Sequence, residues 1–236
     1  MTERVNPRRR GSYGIDAPLA PVFMAAMSCV VLVTAILSGR WQPFVSTTFI
    51  LVVLGLYLYN TLRGKFVVWA GLIDELHLRG DERILDLGCG RGAVLLMAAQ
   101  RLTTGRAVGV DLWRNFDQSG NSLEATRRNA TAEGVADRVD LHTGDMTALP
   151  FADNSFDLVV SSLAIHNISG SAGRQKAISE AVRVLRPGGG LMIADIRATR
   201  QYAAQLAKLG MSAVARRRLG WQPWWVVTAT KPEHRN

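Results

Sequence analysis

Residues 84–92 read ILDLGCGRG, an apolar run that contains one carboxylate and continues into three glycines at every second position. This order predicts a buried β-strand followed by a tight turn. We expect Gly88 to permit the turn and Gly90 to let backbone approach a ligand without an intervening side chain. A carboxylate in an apolar strand is costly unless paired, so Asp86 predicts a cationic ligand group or a ring of N–H donors.

Segments with strand and helix patterns alternate on both sides of this loop. An amphipathic helix is predicted from about residue 66, and short apolar strands then alternate with amphipathic helices through the rest of the chain. This alternation indicates an α/β fold with a parallel, doubly wound sheet. The last two strands are separated only by a short turn at Gln222–Pro223, too short for a crossover helix, so we expect them to be antiparallel to each other.

The glycine loop alone leaves the ligand open. GCGRGA also satisfies the dinucleotide pattern G-x-G-x-x-G/A, and Asp111, 21 residues after Gly90, suits a ribose hydroxyl in either kind of nucleotide site. A tight turn without a ligand is the plainer alternative. The ends of the other predicted strands therefore carry the distinction.

Those strand ends follow a fixed order: VGVD ends at Asp111, HTGDMTALPF carries Asp145 and Met146, FDLVVSS follows, and RVLRPGGGLMIADI leads into the fifth strand. From about Asp81 to Lys231 this series resembles the class I S-adenosylmethionine-dependent methyltransferases. It looks closest to the small-molecule branch that includes the ubiquinone/menaquinone C-methyltransferases. The resemblance implies a Rossmann-like seven-stranded sheet of order 3-2-1-4-5-7-6 with strand 7 antiparallel, and S-adenosylmethionine as cofactor.

The resemblance also implies roles for residues around the glycine loop. Asp86 and the backbone at Gly88 and Gly90 would hold the methionine part of the cofactor, and Asp111 would accept hydrogen bonds from the ribose hydroxyls. The sulfonium methyl is already electrophilic, so catalysis requires chiefly in-line positioning in a site that excludes water. A general base is needed only if the acceptor must lose a proton.

Further roles fall on the later strand ends. By the resemblance, Asp145 would meet the adenine amine, Met146 would make apolar contact with the base, and Ser161 would lie near the methionine moiety. His166, which follows strand four, is expected near the cleft as a tentative catalytic base or acceptor-binding group, or else as a hydrogen-bonded structural residue. Asp157 is expected to be structural.

Residues 112–122, LWRNFDQSGNS, follow the predicted strand that ends at Asp111, and they form a longer connection than is usual there. We expect this loop to lie over the ribose edge of the cofactor or to close the mouth of the pocket. The candidate lid or acceptor contacts are Trp113, Phe116, Asp117, Asn121 and Ser122. The alternative for Ser122 is an N-cap of the helix that begins at Leu123, with Ala125 at N3.

Two long apolar segments precede this domain. Residues 17–39 contain no charged side chain, Arg40 follows, and residues 41–62 are again uncharged. About 20 such residues span the hydrocarbon layer, so the sequence predicts a transmembrane hairpin. The basic residues lie mainly at its outer ends, which predicts a multi-pass membrane protein with both ends and the catalytic domain in the cytoplasm. A buried hairpin and a signal peptide are the alternatives.

These observations divide the chain into a basic tail (1–16), a hairpin (17–62) and a methyltransferase-like domain (66–236). The net charge of +9 is densest around the apolar segments, which favours membrane phospholipid over nucleic acid as its partner. Two cysteines and four scattered histidines give no zinc-type spacing, so we expect no metal site.

The leading hypothesis is a membrane-anchored S-adenosylmethionine-dependent methyltransferase that acts on a small-molecule or lipid acceptor, with no nucleic-acid partner. The alternatives are an NAD-dependent oxidoreductase, which the glycine pattern alone allows, and a non-catalytic membrane protein that retains a cofactor-binding fold.

Overall fold

The computed structural model describes residues 9–220 and 222–233. Arg8 and the preceding part of the basic tail lie outside the described residues. The described chain contains one sheet of seven strands in the order β3-β2-β1-β4-β5-β7-β6. The strands are β1 (Arg83–Leu87), β2 (Arg106–Asp111), β3 (Val139–Thr143), β4 (Phe156–Ser162), β5 (Leu185–Asp195), β6 (Ser212–Arg218) and β7 (Trp225–Thr230).

Strands β1 to β5 pair in parallel, while β7 is antiparallel to both β5 and β6. The predicted doubly wound fold, its strand order and its antiparallel strand are therefore confirmed. The helices are α1 (Leu19–Ser38), α2 (Gln42–Tyr59), α3 (Lys65–Glu75), α4 (Ala93–Ala99), α5 (Leu123–Ala132), α6 (Ser171–Val184) and α7 (Thr199–Lys208).

Apolar side chains cover both faces of the sheet, as a mainly parallel sheet requires. On one face, Trp69 of α3 and Leu95 of α4 belong to a core cluster in which both are fully buried. On the other face, Ile178 of α6 and Tyr202 of α7 belong to a second cluster. Between them, β1 lies in the middle of the sheet, so the loop that follows it opens at the centre of the strand ends.

Helices α1 and α2 form the expected hairpin. Gly39 ends α1 in the left-handed conformation and donates its N–H to the carbonyl of Ala35 (3.2 Å). Small buried residues, among them Ser28, Ala35 and Thr47, lie within the hairpin. By contrast, nineteen of the twenty-four large hydrophobic side chains exposed in the described residues lie between residues 19 and 62. The outer surface of the hairpin is therefore apolar.

The second apolar segment does not end where the hairpin was expected to end. Helix α2 continues through a π-helical turn (Asn60–Gly64) into α3, and together they form a single helix of 34 residues, Gln42–Glu75. The predicted second span and the predicted amphipathic helix are thus two parts of one helix. Its one proline, Pro43, lies in the first turn, where it does not interrupt the helix. A Cβ at Gly64 would lie 2.7 Å from Oδ1 of Asn60, so glycine permits this close packing.

Candidate active site

The glycine loop turns directly above the carboxyl end of β1. Gly88 and Gly90 have φ values of 71° and 51°, a region that favours glycine. A Cβ at Gly88 would lie 2.3 Å from the Cβ of Ala164, and one at Gly90 would lie 2.5 Å from Oε1 of Gln118. Both glycines are therefore required by the turn and by the close approach of neighbouring groups.

Asp86 lies beneath this loop and is almost completely buried (1% exposed). Its Oδ1 atom has no hydrogen-bond partner among the described residues. Burial raises the pKa of Asp86 to about 7, a backbone contact with Leu95 opposes the rise, and the charge of Asp111 adds to it. Oδ1 of this carboxylate is thus available to a ligand.

Asp111, at the end of β2, is held by three protein donors. The backbone N–H of Gly90 donates to Oδ2 (2.8 Å), while the backbone N–H of Trp113 (2.6 Å) and Nδ2 of Asn121 (3.2 Å) donate to Oδ1. A carboxylate offers about four acceptor sites, so this one retains capacity for ligand hydroxyls. The network fixes the orientation of Asp111 at the mouth of the loop.

The adenine candidates follow β3. Asp145 is exposed and its Oδ1 accepts the N–H of Thr147 (2.8 Å), which orders the local turn. Met146 is half-buried, and its Cε lies 3.1 Å from the position that a Cβ would take at Gly88. The structure therefore places Met146 beside the glycine loop and Asp145 on the rim.

Ser161 does not face the cleft. It is fully buried, and its hydroxyl donates to the carbonyl of Leu87 (2.8 Å) between two strands. Alternation along β4 turns the next residue, Ser162, toward the opening, where it accepts a hydrogen bond from Nε1 of Trp69 (2.8 Å). The cleft-lining serine is therefore Ser162, and Ser161 supports the sheet behind it.

The candidate residues of the 112–122 loop separate into different positions. Trp113 and Asn121 hold Asp111 as described, Asp117 lines the cleft, and Phe116 is 62% exposed. The hydroxyl of Ser122 accepts the N–H of Ala125 (3.1 Å), which confirms the predicted N-cap. Burial raises the pKa of Asp117, while nearby Arg114 and, more weakly, His166 oppose the rise.

Residues 9–17 form a segment that we call the N-terminal strap, because it crosses the 112–122 loop before α1 begins. The N–H of Ala17 donates to the carbonyl of Asp117 (2.8 Å), and the N–H of Ser119 donates to that of Ile15 (2.9 Å). The amide of Asn129 binds Ser12 from the other side. The strap thereby brings Asp16 to the mouth of the cleft.

A polar cluster around Asp16 completes the cleft wall. Nζ of Lys65 contacts both carboxylate oxygens of Asp16 (2.9 and 2.8 Å), and the side chains of Thr61 (2.8 Å) and Gln118 (2.9 Å) also donate to it. Oε1 of Gln118 accepts the N–H of Arg91 in the glycine loop (2.8 Å). Asp16, Lys65 and Gln118 line the same cleft as Asp86, Gly88 and Gly90.

Sequence reasoning missed these three cleft residues. Asp16 and Lys65 flank the apolar segments, and they register there only as charges at the ends of a hairpin. Gln118 stands inside a loop that was singled out, but an amide has no distinctive spacing. Contacts between distant parts of the chain bring them together: Lys65 is 49 positions from Asp16, and Gln118 is 102 positions from it.

His166 lies in a short 3₁₀ turn after β4 and contacts the end of β5. Its Nδ1 atom is 2.5 Å from Oδ1 of Asp195, an electrostatic contact that is not aligned as a hydrogen bond. Asp195 is fully buried and also accepts the backbone N–H of His166 (3.2 Å) and the hydroxyl of Tyr202 (3.1 Å). Burial raises the pKa of Tyr202, so its phenol remains a donor.

The cleft fits a nucleoside cofactor that carries a positive charge. Asp86 offers a buried, unpaired carboxylate oxygen, the two glycines leave backbone open at the loop, and Asp111 presents spare acceptor capacity. No group of three or more histidine, cysteine or acidic side chains in residues 9–220 and 222–233 is arranged to hold a metal ion.

Comparison with known proteins agrees with this geometry. Residues 84–189 match the family model described as a methyltransferase domain. The chain is 37% identical over 136 residues to the ubiquinone/menaquinone biosynthesis C-methyltransferase UbiE of Roseobacter denitrificans. The aligned region covers 58% of this chain and 51% of that protein. It is 36% identical over 128 residues to the demethylmenaquinone methyltransferase of Symbiobacterium thermophilum, covering 53% and 47%.

Among solved structures, a geranyl diphosphate methyltransferase in complex with S-adenosylmethionine superposes with a TM-score of 0.58 at 17% identity. The superposition covers 75% of this chain and 88% of that one. This likeness shows the fold. The chain spans about half the length of the curated relatives it matches.

The sheet has the Rossmann-like α/β fold of solved methyltransferases, and residues 84–189 within it match a methyltransferase domain. This domain is similar to those of the ubiquinone and menaquinone methyltransferases, and the residues of its cleft fit S-adenosylmethionine as the cofactor.

Proposed function

We propose that the full chain is a membrane-anchored methyltransferase that transfers a methyl group to a small lipophilic acceptor of the phenol or quinol class. One observation carries the membrane part: two cleft residues flank the apolar hairpin. Asp16 stands three residues before α1, and Lys65 follows the second apolar segment by three residues. The cleft therefore opens within about one helical turn of the hydrocarbon region.

The apolar surface of the hairpin supports the anchoring. Its two helices have mean hydropathies of 2.3 and 1.6 over their most apolar windows, and only 11% of each window is buried. Such an outer surface requires an apolar environment. The basic side chains near its base, including Arg10 and Arg63, suit contact with anionic headgroups, which supports the proposal that the domain lies on the cytoplasmic side.

The acceptor class rests on the relatives and on the position of the cleft. The two curated relatives bear names of quinone-pathway methyltransferases. A cleft at the base of a membrane hairpin reaches molecules dissolved in the bilayer. The nicotinamide alternative has no support from these matches, because they are to methyltransferases.

For the cofactor, we propose that Asp86 pairs with the ammonium of the methionine part and Asp111 accepts from the ribose hydroxyls. The backbone at Gly88 and Gly90 would lie against the methionine part. Met146 would pack against the adenine, with Asp145 at its amine. Ser162, rather than Ser161, would lie beside the methionine part. When bound, the cofactor supplies an electrophilic methyl group on a sulfonium.

For the acceptor, we propose that His166 is the general base. Oδ1 of Asp195 lies 2.5 Å from Nδ1 of His166, and its negative charge favours the tautomer with the proton on Nδ1. Nε2 can then take a proton from the methyl-accepting substrate. The resulting imidazolium is stabilised by the same carboxylate. Asp195 is therefore a positioning residue, and Tyr202 and two backbone N–H groups hold it in place.

The test uses the full chain in native membranes. Membranes from a deletion strain are incubated with purified chain and cofactor that carries a radiolabelled methyl group, then extracted with organic solvent. The proposal predicts label in the organic phase only when the chain is added. Label confined to water-soluble or macromolecular fractions would rule out a lipophilic acceptor, and cofactor binding without any transfer would favour the non-catalytic alternative.

A further inference from the structure

The cleft contains a buried cation as well as a buried anion. Lys65 is 5% exposed and Asp86 is 1% exposed, and both side chains line the same cleft. Buried charges are retained where they are paired. Asp86 has an unpaired oxygen, and Lys65 has one carboxylate partner, Asp16, among the described residues.

Asp16 does not depend on Lys65 alone. Thr61 and Gln118 donate to its two oxygens, so the carboxylate would keep two side-chain donors if Lys65 turned partly toward a ligand. The ammonium of Lys65 has three N–H donors, and the two oxygens of Asp16 occupy two of them. Lys65 therefore has capacity for a second anionic acceptor.

The backbone explains how Lys65 reaches the cleft. The π-helical turn Asn60–Gly64 directly precedes it, and such turns shift the register of the following residues. Thr61 and Lys65 are four residues apart and both contact Asp16, so they share one face of the helix. The helix Gln42–Glu75 thus enters the α/β domain with Lys65 directed into the cleft.

We propose that Lys65, supplied by the membrane hairpin, binds the carboxylate of the cofactor's amino-acid end while Asp86 binds its ammonium. The inference rests on the proposed function, in which this cleft holds S-adenosylmethionine. A fixed cation and a fixed anion in one cleft match a zwitterionic α-amino acid. The hairpin is then part of the cofactor site as well as an anchor, and cofactor binding links the strap, the hairpin and the glycine loop.

The test compares three ligands with the full chain in detergent or nanodiscs by calorimetry. S-adenosylhomocysteine carries the whole amino-acid end, S-adenosyl-3-thiopropylamine lacks only its carboxylate, and 5′-methylthioadenosine lacks the amino-acid end altogether. Lys65→Met should weaken S-adenosylhomocysteine binding about tenfold or more, as the loss of a charged hydrogen bond does. It should change binding of the other two ligands less than about twofold.

Arg63→Gln is the matched control, because Arg63 is an exposed cation on the same helix and does not line the cleft. It should leave all three affinities unchanged. Equal loss for all three ligands with Lys65→Met, or no loss for S-adenosylhomocysteine, would overturn the assignment. Absence of S-adenosylhomocysteine binding to the unmodified chain would instead contradict the proposed function.

Lys65→Met leaves Asp16 without its cation and is expected to lower stability. If the variant fails to fold, the Lys65→Met/Asp16→Asn double variant removes both charges and serves the same comparison. It should show the same selective loss for the ligand that carries a carboxylate. A double variant that binds S-adenosylhomocysteine as the unmodified chain does would also overturn the assignment.

Discussion

Nδ1 of His166 lies 2.5 Å from Oδ1 of Asp195, a carboxylate with no exposed surface at the end of β5. This relationship joins the segment after β4 to the neighbouring strand end. The imidazole of His166 also interacts with Asp117, which lines the cleft, and this interaction opposes the rise in the pKa of Asp117. A structural histidine and a catalytic base both satisfy that geometry, and kinetics separate them.

His166→Gln is expected to lower the rate of methyl transfer about 100-fold, because it removes the proposed base. Its affinity for S-adenosylhomocysteine should stay within about twofold, since the ring is not assigned to the cofactor. Single-turnover transfer into membrane extract and calorimetry measure the two quantities. A loss of affinity equal to the loss of rate would assign the histidine a structural role.

Asp195→Asn should also slow transfer, because the amide carries no charge to favour the proton on Nδ1 of His166. Its affinity for S-adenosylhomocysteine should stay within about twofold, since Asp195 is not assigned to the cofactor. Tyr202→Phe is the matched control, since it removes one hydrogen bond to the same carboxylate and leaves its charge. That control should cost about 1 kcal/mol of unfolding free energy with little effect on the rate. Equal transfer rates for Asp195→Asn and the unmodified chain would contradict the positioning role.

Asp111→Asn should weaken S-adenosylhomocysteine binding about tenfold, because the ribose hydroxyls lose a charged acceptor. Asp157→Asn is the control: Asp157 binds the N–H of Arg83 (2.7 Å) and the guanidinium of Arg186 (2.7 Å), which supports its predicted structural role. We expect this control to bind the ligand normally. Calorimetry at one salt concentration compares the two variants, and equal affinities would remove Asp111 from the ribose site.

The pKa of Asp86, about 7, predicts a pH dependence of cofactor binding. A ligand ammonium requires the ionised carboxylate, so binding lowers this pKa and releases a proton. The affinity should therefore rise as pH increases from about 6 to 8 and level off above. Titrations in buffers of different ionisation enthalpy measure the proton release. Asp86→Asn should bind weakly without this dependence, and retention of the full dependence would assign it to another group.

Much of the fold is predictable from sequence, because each strand and helix carries its own local signal. Strand β1, which contains Asp86, has an apolar run followed by a glycine turn, and Ser122 precedes α5 as its N-cap. Each of these features specifies local structure within a few residues, so the order of strands and helices can be read along the chain, and that order indicates the type of sheet. The junction at Asn60–Gly64 was less predictable, because the helix continues beyond the residue at which the apolar segment ends.

The site is predictable where it lies at strand ends and unpredictable where distant segments meet. Asp86 and Asp111 are predictable because they lie at the carboxyl ends of β1 and β2. Lys65 lines the cleft only because the helix Gln42–Glu75 meets the strap at Asp16, and the strap in turn binds the 112–122 loop. Ser161 and Ser162 differ by one position, and the strand pleat decides which of them faces the opening.

The proposed topology is testable with single cysteines in a background in which Cys29 is replaced by serine and Cys89 remains buried. A membrane-impermeant thiol reagent applied to intact spheroplasts should label Arg40→Cys, in the hairpin turn. It should label Thr104→Cys, on the exposed surface of the α/β domain, only after the membrane is opened. Labelling of Thr104→Cys in intact spheroplasts would reverse the proposed orientation.

The central claim is that the cleft above β1 and β2 binds a sulfonium nucleoside. Calorimetric titration of the folded full chain with S-adenosylhomocysteine, beside a parallel titration with NADH, tests it most directly. We expect saturable one-to-one binding of S-adenosylhomocysteine and no binding of NADH. No heat with S-adenosylhomocysteine, or saturable binding of NADH in its place, would contradict it.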